Sequence, residues 1–447
     1  MALTGLDIFK LLPRTNCAKC GVPTCLAFAM KVAAKQAALE QCPDVTQEAK
    51  DALGAASAPP QKLITIGGGD KAVQVGNETV MFRHEERFHH PPGVAMLVND
   101  TDDVAQKAEK IRSLAFERVG ERIAVNMVAV NCASGDGGKL KAAASALSSS
   151  LGLPIVLIAA DAAKLAPAAK ELSAAKPLLW QTGGASDALI QLGVETKAPI
   201  VLEGDIARCD ADSQKAKKAG VQDMVLCPGK VTPAQALEFL TCTRRAALRQ
   251  NYRALGLPVL VRAWAQDPVQ QSLEACHYVA KYAGVVVMDA CAPEYLLPVL
   301  TMRQDIYINP QVPVQVEPKL YSIGEPSDKS PLLVTTNFSL TFYSVQGEVE
   351  ASRVPARILA VNTEGTSVLT AWAADKFGAE QVATALKKCG AFDLLAEGYR
   401  KPVIPGLVAV ISGELEDEAA CKVIVGPKEA SAIPNFLKNE WPSLVGK

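Results

Sequence analysis

Between residues 94 and 289, short apolar runs alternate with longer stretches whose apolar positions recur every three or four residues. The short runs are rich in Val, Ile and Leu and predict eight buried strands. These are Val94–Val98, Ile123–Val130, Pro154–Ala159, Pro177–Gln181, Pro199–Glu203, Val221–Cys227, Pro258–Trp264 and Val285–Asp289. Asp102–Val119, Pro233–Arg249 and Asp267–Tyr282 carry the helical period and predict helices between strands. Eight strand–helix alternations in about 220 residues match a (β/α)8, TIM-like barrel. A hairpin of Lys62–Ile66 with Thr79–Phe82 precedes the first barrel strand and is expected to close the barrel floor.

The pattern repeats on a smaller scale near the carboxyl end. Leu332–Thr335, Ile358–Val361, Val408–Ile411 and Lys422–Val425 predict buried strands, with helices beginning at Thr366, Ala379, Glu414 and Lys428. That alternation suits a doubly wound, Rossmann-like parallel sheet. Two breaks interrupt the periodicity: Gly54–Pro60, which is small and proline-terminated, and Asn309–Pro331, which carries five prolines. The expected organisation is an α/β multidomain chain: a small module over 1–57, the barrel over 58–312 and the doubly wound domain over 325–447.

Composition narrows the class. Lys plus Arg (46) nearly balances Asp plus Glu (47), so nothing in the charge favours nucleic acid or an anionic membrane. The amino end mixes charged and apolar residues without a signal-peptide run, and no apolar stretch approaches the roughly 20 residues that span a bilayer. A soluble, cytoplasmic protein is expected. Of twelve cysteines, Cys132, Cys209, Cys227, Cys242, Cys276, Cys291, Cys389 and Cys421 lie singly and read as reduced thiols rather than a disulfide framework.

The other four are different. Cys17, Cys20, Cys25 and Cys42 follow the spacing C-x2-C-x4-C-x16-C. Three thiolates in nine residues can wrap one face of a cubane, Gly21 and Pro23 permit the tight turns this needs, and Cys42-Pro43 resembles the last ligand of ferredoxin-type runs. Structural zinc is the competitor, but it favours two C-x2-C knuckles and only one is present. A [4Fe–4S] cluster is therefore expected. Between Cys25 and Cys42 an amphipathic helix is predicted, covering the cluster with Leu26, Phe28, Ala29 and Met30. Apolar cover disfavours the more negative reduced state and lowers the potential.

In the carboxy-terminal domain the strand ends are rich in small and hydroxylated residues. Val334 runs into Thr335-Thr336-Asn337-Phe338-Ser339-Leu340-Thr341, Val361 into Asn362-Thr363-Glu364-Gly365-Thr366-Ser367-Val368, and Val425 into Gly426-Pro427-Lys428-Glu429-Ala430-Ser431. Parallel sheets gather such loops along the carboxyl edge, where ligands bind. Thr and Ser also cap helices very often. Several such loops on one edge favour a large, flat, amide-fringed ligand. Polar residues also end the barrel strands (Asn99, Asp100, Asn131, Gln181, Glu203, Asp289), as on any barrel. His84, His89 and His90 lie in a charged stretch without ligand spacing, and no histidine follows His277.

On C-x2-C-G-x-P-T-C-L-A-F-A-M at Cys17–Met30, V-T-T-N-F-S-L-T at Val334–Thr341, G-T-S-V-L-T-A at Gly365–Ala371 and V-G-P-K-E-A-S at Val425–Ser431, the chain resembles a known family. The family is the large (γ) subunit of the corrinoid/iron–sulfur protein of the reductive acetyl-CoA pathway. The resemblance covers essentially the whole length. It implies a [4Fe–4S] cluster on Cys17, Cys20, Cys25 and Cys42, and a base-off, histidine-off cobamide contacted by Thr335, Thr341, Gly365, Thr366, Ser367, Val368 and Ala430. It implies a methyl carrier: Co(I) takes a methyl group from methyltetrahydrofolate through a separate methyltransferase, and methyl-Co(III) passes it to acetyl-CoA synthase/CO dehydrogenase. A heterodimer with a small barrel subunit and a low-potential electron donor complete the implied partners. The missing histidine fits this chemistry, because Co(I) is d8 and needs no axial donor. Two other readings remain: a methyltransferase binding a pterin in its own barrel, and an iron–sulfur oxidoreductase with flavin or nucleotide at the carboxy-terminal edge. The latter lacks a G-x-G-x-x-G loop.

Overall fold

The computed structural model describes residues 5–33, 37, 41–46 and 59–445. The chain divides into two compact units, Met1–Ala115 with Ala124–Tyr307, and Phe116–Ile123 with Ile308–Lys447. Most of the predicted Gly54–Pro60 linker, and the predicted helix beyond Ala33, lie outside the described residues.

In the first unit, β1 (Ile64–Ile66) pairs antiparallel with β2 (Val73–Val75). The barrel strands are β3 (Gly93–Asn99), β6 (Met127–Asn131), β7 (Ile155–Ala159), β8 (Leu178–Gln181), β9 (Ile200–Glu203), β10 (Met224–Cys227), β11 (Leu260–Arg262) and β12 (Val285–Met288). Between β3 and β6 in sequence lie β4 (Ala115–Arg118) and β5 (Glu121–Ala124), a separate two-stranded sheet whose residues Phe116–Ile123 group with the second unit. The eight barrel strands are parallel neighbours in the order β10-β9-β8-β7-β6-β3-β12-β11. A parallel bridge between Leu226 and Val259 closes the circle, with Leu226 N donating to Pro258 O at 2.9 Å.

Side chains fill the barrel as a packed core. Leu97, Met127, Val156, Ile158, Leu178, Trp180, Val201, Val225, Leu260 and Val287 form one buried cluster with Ile64, Ile66, Val73 and Val75 of the hairpin. The hairpin thus plugs the barrel, as expected, but with a different second strand. Thr79–Phe82 is irregular; Gly67 (φ 93°) and Gly69 (φ 66°) turn the chain early enough for Val73–Val75 to pair. Such backbone is open to glycine without steric cost. Seven helices after barrel strands begin with a side-chain cap, from Asp103, Asp136, Asp161, Ser186, Asp205, Thr232 and Asp267. Each carboxylate or hydroxyl accepts from an orphan N–H of the first turn, worth about 1 kcal/mol per helix.

The predicted Asp102–Val119 helix and Ile123–Val130 strand both need correction. The helix spans Val104–Ser113, and Ala115–Arg118 is instead β4. Val119 (φ 52°) and Gly120 (φ 70°) make a two-residue turn of the twist that hairpins favour. Ile123 therefore belongs to β5, and the barrel strand starts only at Met127.

The second unit holds a five-stranded sheet of β13 (Leu320–Ile323), β14 (Leu332–Thr336), β15 (Ala356–Val361), β16 (Pro402–Ile404) and β17 (Ile424–Val425), in the order β13-β15-β14-β16-β17. The last four are mutually parallel and β13 is an antiparallel edge. Alternate residues of the strands feed two cores. Leu332, Val334, Leu359 and Ile404 pack with Val382, Leu386 and Leu415. Leu333, Ile358, Ala360 and Val403 pack with Phe342, Phe436 and Trp441. Helices therefore cover both faces. Two expectations shift here. Val408–Ile411 lies in a 3-10 turn (Gly406–Ile411), and the strand is β16, just upstream; Pro405 cannot donate to a ladder and ends it. Leu320–Ile323, inside the predicted proline-rich break, is a strand because Pro318 and Pro326 flank it without interrupting it.

Candidate functional site

β14 is central, with β15 on one side and β16 on the other. The chain winds outward in both directions from it, so the loops after β14 and β16 part at the carboxyl edge and leave a crevice. A cleft of about 240 Å³ lies there. Leu333, Val334, Thr335, Val345, Val403, Ile404 and Ile433 line its apolar interior, and Leu340, Thr341, Val368, Leu407, Gly426, Lys428 and Ala430 its rim. Gly406 and Gly426 hold two walls together: a Cβ on Gly406 would stand 2.5 Å from Gly426 O.

Thr335 is 1% exposed, and neither its Oγ1 nor that of the fully buried Thr336 has a hydrogen-bond partner among the described residues. A buried hydroxyl left unpaired costs about 1–3 kcal/mol. Leu340 (68% exposed) and Leu407 stand as exposed apolar side chains at its edge, and Val410 (72%), Leu369, Trp372 and Val425 are further exposed apolar side chains of the same unit. Unlike the barrel helices, those starting at Ser339 and Val368 have no side-chain cap. The hydroxyl-rich loops at this edge are not capping loops.

Of the residues singled out from sequence, Thr335, Thr341, Val368 and Ala430 come together around the cleft. Gly365, Thr366 and Ser367 stand beside it in the loop after β15, which is organised by a residue the sequence did not single out. Asn337, fully buried, accepts through Oδ1 from Thr363 N (2.9 Å), Thr363 Oγ1 (3.0 Å) and Gly365 N (3.1 Å), while its Nδ2 donates to Gln315 Oε1 (3.0 Å). Val316 N and Ser339 N add backbone bonds that lay residues 314–316 across the start of the helix after β14. Gly365 (φ 72°) is required twice over: a Cβ there would meet Gln315 Cγ at 2.5 Å and Pro313 Cβ at 3.0 Å. The Thr366 hydroxyl donates to Thr363 O at 2.7 Å and braces the loop, and Ser367 Oγ lies 3.1 Å from Thr370 Oγ1.

The cysteine module builds a small core of its own. Cys25 and Cys42 are buried with Ile8, Leu12, Val22, Phe28, Ala29 and Val45, and Cys20 packs against them. Cys17 is exposed at the rim, its Sγ donating to Asp44 Oδ2 at 3.5 Å. Among the described residues no three Cys, His, Asp or Glu side chains stand together as a metal-binding group, so the thiols are neighbours rather than a closed ligand set. Their chemistry fits an iron–sulfur cluster, being all thiol. The backbone turns tightly there: Arg14, Asn16, Ala18 and Gly21 all have positive φ, and Gly21 N donates to Ala18 O at 2.9 Å. The helix Cys25–Ala33 buries Phe28 and Ala29, while Leu26 (40%) and Met30 (55%) are exposed. Residues 25, 28 and 29 share the inner helical face; 26 and 30 fall outside it.

At the barrel mouth the polar strand ends bind one another. Asn131 Nδ2 donates to Asn99 Oδ1 (2.9 Å), Ser134 N to Asp100 (2.8 Å), and Ser186 Oγ to Gln181 (2.7 Å). Glu203 accepts from Trp180 Nε1 (2.6 Å) and Gly183 N (3.0 Å). Asp289 bonds Gln271 and faces Arg262, whose guanidinium covers Trp264 at 4.3 Å. Arg262 Nε is buried without a partner among the described residues.

Fold and site together define a multidomain α/β protein: a thiol module, a filled barrel, and a parallel sheet with an open crevice at its carboxyl edge. A family model described as CO dehydrogenase/acetyl-CoA synthase delta subunit matches residues 63–437, and an Fe-S cluster model matches 12–43. The chain is 41% identical to the corrinoid/iron-sulfur protein large subunit of Moorella thermoacetica, over 98% of this chain and 99% of that one. It is 35% identical to the acetyl-CoA decarbonylase/synthase complex subunit gamma of Methanopyrus kandleri, over 98% of each. The protein of that name from Methanothermobacter thermautotrophicus is 31% identical over 98% of this chain and 99% of its own. The chain belongs to the family of corrinoid/iron–sulfur protein large subunits. Among the described residues no helix is long and apolar enough to cross a membrane.

Proposed function

We propose that this chain is a methyl-group carrier holding a [4Fe–4S] cluster on Cys17, Cys20, Cys25 and Cys42 and a base-off cobamide on its carboxy-terminal, Rossmann-like sheet. The observation that carries the second half is the crevice at β14/β16, with its unpaired Thr335 hydroxyl and exposed apolar rim. When bound, the corrinoid supplies a cobalt that accepts and releases a methyl group, and the cluster supplies single electrons. Thr335, Thr341, Val368 and Ala430 border the crevice, and Gly365, Thr366 and Ser367 form the adjoining loop. None of the chain's histidines follows His277, so the carboxy-terminal domain offers cobalt no imidazole. The exposed apolar rim suits a protein surface closing over the ligand, here the small subunit of a heterodimer. The methyl donor side is a methyltetrahydrofolate methyltransferase, the acceptor side acetyl-CoA synthase/CO dehydrogenase, with a low-potential donor feeding the cluster. The domains in this reading are 1–57, 58–312 and 325–447.

Anaerobic metal analysis with a visible spectrum tests both cofactors at once. Iron and cobalt together, with no histidine bound to cobalt, are expected; a sample without cobalt but containing flavin would overturn the reading. Cys42→Ala is expected to impair reductive reactivation while largely sparing methyl transfer from pre-reduced protein. Equal loss of both would count against separate roles for cluster and corrinoid.

A further inference from the structure

We propose that the β4–β5 hairpin is a releasable strap, rooted in the first unit and fastened by its tip to Tyr343 of the second. The inference goes beyond the carrier reading and needs no cofactor. Both roots are fixed. Leu114, before β4, is 1% exposed, and Val125, after β5, is 6% exposed. Arg303 donates to Ala124 O (2.8 Å), Asn126 Oδ1 (3.0 Å) and Pro92 O (3.4 Å). Asn126 Oδ1 also accepts from Val94 N of the first barrel strand at 2.8 Å. The tip belongs elsewhere, because Phe116–Ile123 groups with Ile308–Lys447. A Cβ on Gly120 would stand 1.3 Å from Tyr343 Oη and 2.3 Å from its Cζ, so a bare α-carbon is what fits against that ring. Burial and the nearby Glu121 both push the Tyr343 phenol above its ordinary value. Tyr343 in turn packs edge-on to the buried Phe342 at 5.4 Å. It lies in the helix Ser339–Ser352, whose Leu340, Thr341, Ser344 and Val345 line the crevice. The strap thus holds the helix that borders the cleft.

Two features make the fastening releasable. Among the described residues β4 and β5 pair with each other alone, and an isolated two-stranded ribbon is marginally stable. Val119 holds φ 52° at the tip, where a β-branched side chain is strained. Such backbone persists only while its surroundings enforce it, so lifting the tip from Tyr343 relieves the strain. A displacement of the second unit that leaves the root in place must break the Gly120–Tyr343 contact or stretch the ribbon.

The test is hydrogen exchange and small-angle X-ray scattering on the full-length protein under anaerobic conditions. Tyr343→Ala is expected to speed amide exchange over residues 115–124 by roughly tenfold, while 127–131 stays protected. The same variant should broaden the distribution of interatomic distances in scattering. Gly120→Val, a change on an exposed turn, should do both by displacing the ring. Tyr343→Phe keeps the ring and should match the wild type. Val119→Asn, which tolerates the left-handed turn, should act in the opposite sense and slow exchange of the hairpin. Unchanged hairpin exchange in both Tyr343→Ala and Gly120→Val overturns the fastening. Faster exchange with unaltered scattering overturns the restraint and makes the hairpin a fixture of the second unit alone. Neither result touches the cofactor assignments, which metal analysis tests separately.

Discussion

Both units end their parallel strands in polar residues, yet they treat them in opposite ways. At the barrel mouth Asn99, Asp100, Asn131, Gln181, Glu203 and Asp289 are spent on one another, on the side chains of Trp180, Ser186 and Gln271, and on neighbouring backbone. At the carboxy-terminal sheet edge two threonine hydroxyls stay unpaired, the nearby helices start without side-chain caps, and apolar side chains stand in solvent. A polar strand end therefore says little by itself. What distinguishes a scaffold from a binding edge is whether the polar groups are already satisfied. By that measure the bonded strand ends of the barrel brace its own loops.

The contrast can be broken from the barrel side first. Trp180 is buried in the barrel core and bonded to Glu203, so Trp180→Ala should destabilise the first unit by about 3–5 kcal/mol in urea unfolding. Cobamide affinity of the folded fraction should not change; a parallel fall would make the barrel part of the ligand site. A matched pair of asparagines sharpens the same point. Asn337→Ala strands the buried N–H groups of Thr363 and Gly365, at about 1–3 kcal/mol, and should weaken cobamide binding as the loop loosens. Asn131→Ala should cost about 1 kcal/mol and leave binding untouched. Equal binding defects in the two would erase the distinction.

Gly365→Ala adds a left-handed strain and a clash with Gln315, together about 1–3 kcal/mol. In thermal unfolding the double variant with Gln315→Ala should still fall short of the wild type, because the left-handed strain remains and Asn337 Nδ2 loses its Gln315 partner.

The smallest effect concerns acid. Backbone bonding from Val423 N, aided by Lys422, holds the Glu416 carboxyl below its usual 4.5. A depressed carboxylate contributes stability above its unfolded value and loses it as pH falls through the folded value. Below about pH 4.5 the second unit should therefore lose a small increment that Glu416→Gln does not show, measurable as the difference in their denaturation midpoints.

Much of this fold is legible in the sequence because buried parallel strands read as apolar runs bounded by Pro, Gly or Asp, as at Pro154–Ala159 and Pro199–Glu203. The failures have local causes. Val408–Ile411 is as apolar as a strand, and only Pro405 marks that the ladder has already ended. The β4–β5 hairpin hides behind a valine in a left-handed turn, where glycine or asparagine would have advertised it. The crevice was partly legible, since Thr335, Thr341, Val368 and Ala430 sit in loops that the strand order brings together. Asn337 was not, because its partners come from residues 315, 363 and 365, and no spacing rule links three such segments.

The short stretch Phe116–Ile123 leaves the first unit and groups with the second. The peptide thus passes between them three times, after residues 115, 123 and 307, rather than once. A gene cut after Tyr307 would yield two polypeptides, neither complete: one with an orphaned loop, the other missing a piece supplied from 190 positions upstream, about the length of a whole domain. Interleaving of this sort ties the inheritance of one unit to the other.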